Sequence, residues 1–115
     1  MSQKQQLAKL QNIAGLMLDS RLAALQAAAR AKAESEAQLA GLAGAVAAPA
    51  DISAVAAEKA SLNYQRWADA RRAELNLLLA RQTVAWMEAR DAARVAFGKT
   101  EALAGVAKKL ADRPR

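Results

Sequence analysis

Apart from Pro114, close to its last residue, this 115-residue chain contains a single proline, Pro49. A proline removes a backbone donor and clashes with the preceding turn, so it ends any regular helix it enters. Either side of Pro49 the sequence is written in Ala, Leu, Arg, Gln, Lys and Glu, the strongest helix formers. The β-branched and aromatic residues that favour strands are scarce. The chain therefore reads as all-α, with two long helices and one turn between them.

The ends of these helices can be placed from local chemistry. Ser2 and Gln5 match a capping box, in which hydroxyl and amide each satisfy a free backbone N–H, so helix one is expected over about residues 2–43. Gly41 and Gly44 can close it, and Asp51 can cap the next helix. The turn is placed at residues 43–50 and helix two at 51–112, with Gly98 and Gly105 weakening it without breaking it. At about 1.5 Å per residue the arms measure roughly 60 and 90 Å.

The core such helices can bury is thin. Of the 54% hydrophobic residues, 33 are alanine and 15 leucine, and only four side chains are Phe, Trp or Tyr. Long helices so short of large side chains bury a seam against each other rather than wrap a globular core. The expected architecture is one domain, residues 1–115, folded as a long antiparallel two-helix coiled-coil hairpin with a C-terminal helical overhang. Leu7, Ala14, Leu18, Leu25 and Ala29 share a face of helix one. Leu62, Ala73, Val84, Val95 and Val106 recur every 11 residues on helix two, a period of straight or slightly right-handed packing. Folding about residues 46 and 47 sets Leu25 near Trp67, Leu18 near Leu75 and Leu7 near Trp86. The hairpin core is thus assigned to Leu7, Leu18, Leu25, Leu62, Trp67, Leu75, Val84 and Trp86, with Trp67 lying over the alanines between Ala23 and Ala31.

In that register residues 92–111 have no partner within the chain. This stretch carries an apolar stripe of Val95, Leu103, Val106 and Leu110 beside the cations Arg90, Arg94, Lys99, Lys108 and Lys109. An unpartnered apolar stripe marks an interface, and the surrounding charge suits an acidic partner, in keeping with a net charge of +6. Protein, nucleic acid and membrane surface all remain open on charge and amphipathicity alone. Pairing of two copies through their overhangs is the alternative that needs no other partner.

Several function classes are disfavoured. The chain has neither His nor Cys, which removes imidazole and thiolate metal sites, Ser-His and Cys-His nucleophile pairs and disulfides. Glu34 with Glu36, and Glu88 with Asp91, stand among basic residues on exposed helix faces and read as solvated charge rather than an acid–base pair. No phosphate-binding loop of the G-x-x-x-x-G-K-[ST] form is present. Nucleic-acid binding by single-strand modules interleaves many aromatics with charge, and four aromatics do not supply that. The expectation is no enzyme, no cofactor and no metal. No apolar run reaches the roughly 20 residues that span a bilayer, and the N-terminus does not read as a signal peptide.

Along helix two the features run Leu62-Asn63-Tyr64-Gln65-Arg66-Trp67, then Trp86, Arg90 and Arg94 at four-residue spacing, then Lys99, Leu103 and Lys108-Lys109. In this order and spacing, and more loosely in the Leu7–Leu25 start, the chain resembles the FliJ/YscO family. These are small stalk proteins of flagellar and type III export. The resemblance implies an antiparallel coiled coil seated in a hexameric ring of export ATPase subunits, touching the membrane-embedded export gate and export chaperones. It implies a cytoplasmic location, peripheral at the membrane base of the apparatus, and no bond chemistry. On that reading Arg90, Arg94 and Lys99 meet acidic ring loops, Lys108 is a further protein-binding residue, and Val95, Leu103, Val106 and Leu110 supply apolar docking. A self-associating structural coiled coil with another protein partner is the alternative.

Overall fold

A computed structural model describes residues 2–42 and 53–113. It consists of two helices, α1 over Gln3–Gly41 and α2 over Ala54–Ala111, arranged as an all-α hairpin, and no strand occurs among the described residues. The expected turn at 43–50 and the Asp51 cap lie outside the described residues.

The helix ends follow from the residues that stand there. Ser2 and Gln5 form the reciprocal box: the Gln5 amide donates to Ser2 Oγ and the Ser2 amide to Gln5 Oε1, each at 3.2 Å. At the start of α2 the cap is Ser53, whose Oγ accepts from the Ala56 amide at 3.2 Å. The final turn of α1 tightens as the Leu42 amide donates to Leu39 O at 3.1 Å. Arg72 Nη2 lies 3.5 Å from the Leu42 carbonyl, setting a cation at the negative end of the α1 dipole. Gly98 and Gly105 leave α2 unbroken, with nothing within 4 Å of where a Cβ would stand.

The chain divides into two compact units, each built from a segment of both helices. The first holds residues 1–29 and 84–115, and the second holds residues 30–83. In the second unit Ser35, 4% exposed, donates from Oγ to Gln82 Oε1 at 2.6 Å. Arg71 Nη2 donates to Gln38 Oε1 at 3.2 Å. Contacts that climb α1 from 35 to 42 thus descend α2 from 82 to 71 and 72, as antiparallel packing requires. Leu75, 1% exposed, is the largest fully buried side chain, with Ala68 at 3%.

In the first unit the buried positions are Ala93 and Ala96, at 5% and 6%. Trp86, Ala89, Thr100, Leu103, Ala107 and Leu110 are half-buried around them on α2, and Leu7, Gln11, Ala14, Leu18, Leu25 and Ala28 on α1. Alternating steps of three and four residues make this a seven-residue repeat, the pattern of left-handed coiled-coil packing. Alanines at the seam let two helices approach closely, because interaxial distance is set by the side chains at the contact.

Four expectations are corrected by this packing. First, the register differs: Ser35 meets Gln82, whereas folding about residues 46 and 47 sets it against Glu58. Leu18 and Leu75, and likewise Leu25 and Trp67, belong to different units.

Second, the 11-residue stripe is not the seam. Leu62, Val84, Val95 and Val106 are 53%, 55%, 59% and 47% exposed. An 11-residue step rotates about a helix by almost whole turns and keeps one face, but in an alanine-rich chain that face need not be the one where the helices approach.

Third, of the residues assigned to the core, Leu75 is buried and Leu7, Leu18, Leu25 and Trp86 are half-buried, whereas Leu62, Trp67 and Val84 are exposed. Trp67 is 56% exposed and rests against Tyr64, their ring centroids 5.8 Å apart.

Fourth, residues 92–103 of the expected overhang are not unpartnered. Residues of α2 from Ala92 to Leu103 share one groove with residues of α1 from Leu10 to Arg21. The α1 residues therefore stand beside residues 92–103, which the expected register left without a partner.

Candidate functional site

That groove is a concave feature of the first unit, formed between α1 and α2. It encloses about 560 Å³. One wall is α1, with Leu10, Ile13, Ala14, Met17 and Arg21, and the other is α2, with Ala92, Val95, Ala96, Lys99, Ala102 and Leu103. It runs along one flank of the seam, because Ile13 and Met17 on α1, like Val95 and Lys99 on α2, sit one or more positions beyond the buried stripe.

Its large apolar side chains remain open to solvent. Leu10, Ile13, Met17 and Val95 are 53%, 55%, 43% and 59% exposed. Helices that pack in bundles of more than two carry such a second apolar flank beside the seam, whereas a two-helix coiled coil needs only the seam. The seven-residue repeat on α1 is interrupted at Arg21, an exposed residue whose side chain lines the groove. Lys99 stands across from the α1 wall, and no carboxylate lines the groove.

The expected docking residues separate into distinct environments. Val95, Lys99 and Leu103 are brought together in the groove. Leu110 is half-buried further along the seam, and Val106 is exposed beside it. Arg94 and Lys108 are exposed, and Lys108 with Lys109 falls in the last turn of α2, where cations favour the dipole. Arg90 is committed elsewhere: its guanidinium carbon sits 5.1 Å from the Trp86 ring centroid, a cation–π distance. Its Nε lies 3.5 Å from Asp91 Oδ1 and is buried without a hydrogen bond.

Residues that sequence reading missed are those on α1. Leu10, Ile13 and Met17 recur at three- and four-residue spacing, so a second apolar face was written in the sequence beside Leu7, Ala14 and Leu18. Ser35 and Gln82 had no sequence signal, since polar residues on an amphipathic helix read as surface.

Elsewhere the charges pair locally along the helices. Arg71 with Glu74 and Arg72 with Asp69 are i,i+3 pairs at 3.2 and 2.8 Å on side chains 42–75% exposed, and contacts of this kind contribute little stability. No helix is long and apolar enough to cross a membrane among the described residues. Comparison with protein-family models, with curated proteins and with solved structures finds no match.

Proposed function

We propose that this chain is a non-catalytic helical hairpin that acts by docking to other proteins, and that its place is the stalk of a flagellar or type III export apparatus. There it would seat in the export ATPase ring, touch the export gate and meet export chaperones, on the cytoplasmic side and peripheral to the membrane base. The observation that carries the docking part is the groove, in which four large apolar side chains stand 43–59% exposed between two helices beside unpaired cations. The order of aromatic and basic residues along α2 supports the export assignment.

A stalk of this kind couples to a ring by making different contacts in different ring states, because only differential affinity shifts an equilibrium. Exposed Arg94 and Lys108 and the α2 end are suited to such contacts, whereas Arg90 on Trp86 serves the hairpin itself.

Light scattering coupled to size-exclusion chromatography, with and without the candidate export ATPase, tests this reading. The expected result is a monomeric hairpin that binds the ATPase and shifts it toward a hexamer. A stable dimer indifferent to the ATPase would refute the stalk assignment and support the second reading, a self-associating structural coiled coil.

A further inference from the structure

We infer that the groove of the first unit receives an amphipathic helix of a partner protein whose apolar stripe is edged by carboxylates. This deepens the docking reading by giving the partner's chemistry, and it does not depend on the export ATPase being that partner.

The shape of the groove selects a helix. Its walls span residues 10–21 and 92–103, about 16 Å of helix axis or three turns. That length matches the i, i+3/i+4, i+7 anchors by which a helix lies in a groove. Ala92, Ala96 and Ala102 keep the α2 wall low, so leucine-sized anchors can enter between Ile13, Met17 and Val95.

Charge selects the edges. Arg21 and Lys99 have no ion pair or hydrogen bond among the described residues, and no acid lines the groove. Because the helices run antiparallel, Arg21 stands toward the Ala92 end of the groove, and Lys99 lies further along the opposite wall. A guest helix would therefore carry its carboxylates on both edges of its apolar stripe, roughly one to two turns apart. A second copy of this chain would instead bring Arg21 and Lys99 against the same cations on a molecule already at +6. Like charges juxtaposed across an interface oppose association.

Two synthetic amphipathic helical peptides test the assignment, with identical leucine positions and either Glu or Lys along both edges, titrated against the full chain by fluorescence anisotropy at physiological salt. The Glu peptide is expected to bind at least about tenfold more tightly. Arg21→Glu with Lys99→Glu should reverse that preference. Arg94→Glu with Lys108→Glu, which alters net charge equally but lies outside the groove, should preserve it. Val95→Asp should abolish binding of both peptides to the otherwise native groove. All of these positions are exposed, and unchanged circular dichroism would show that the helices persist. Equal binding of the two peptides, an unreversed preference in the Arg21/Lys99 variant, or binding that survives Val95→Asp would overturn the proposal. So would a dimer of the chain alone that Val95→Asp dissociates, since a second copy would then be the occupant.

Discussion

Replacing Leu75 by alanine is expected to lower the free energy of unfolding by about 2–5 kcal/mol, the range for truncating a fully buried leucine. Leu75 is 1% exposed and is the one large side chain buried to that degree among the described residues. The cost combines lost transfer free energy with the cavity left behind, and a seam between two helices has little means of closing over a vacancy. Small domains are stable by about 5–15 kcal/mol in total, so this change should take a large share. Val84→Ala provides the internal contrast. Val84 is 55% exposed on the 11-residue stripe, and surface changes of this type stay within about 0.5 kcal/mol. Urea unfolding followed by circular dichroism measures both. Equal losses in the two variants would mean that the stripe, not the seven-residue repeat, faces the partner helix.

Ala93→Leu is the second large effect, and it acts in the opposite sense of volume. Ala93 is 5% exposed in the first unit and does not line the groove. Added methylenes there force the helices apart or push side chains off their rotamers, a cost of about 1–3 kcal/mol. In isolated helices leucine forms helix almost as well as alanine, so intrinsic propensity predicts almost no change. Thermal unfolding therefore distinguishes close approach at the seam from propensity alone. A variant as stable as the parent would show that residue 93 is not at a tight contact.

These two positions also show what could be read from the sequence. The helices themselves were legible, because proline placement and helix-former content act locally, and the Ser2–Gln5 box needs only its own four residues. The pairing of the helices was not. In a chain with 33 alanines, small seam residues such as Ala68, Ala93 and Ala96 look like any other alanine, and large residues such as Leu62 and Val84 are conspicuous wherever they point. Weighing side chains by size therefore picked out an exposed stripe. Seam polarity hid the rest: Ser35 is buried through its bond to Gln82, and Arg72 reaches the α1 C-terminus.

The consequence for the site is direct. With residues 92–103 free, docking would need one helix; with those residues against α1, the docking surface is a groove that needs both helices. Val95, Lys99 and Leu103 keep a place in it, and Leu10, Ile13, Met17 and Arg21 join them. Binding at this surface should depend on the hairpin being folded, whereas a free amphipathic end would bind as an isolated segment.

The most direct test of this account is intramolecular cross-linking of Met17→Cys with Val95→Cys by a short bis-maleimide at low protein concentration. The chain has no cysteine of its own, and both positions line the groove and are accessible, at 43% and 59% exposure. The account predicts a cross-link within one molecule, seen as a monomer of increased electrophoretic mobility with both thiols consumed. Unlinked monomer, or only linked dimers, would contradict it, because residue 95 would then have no helix-one partner in its own chain.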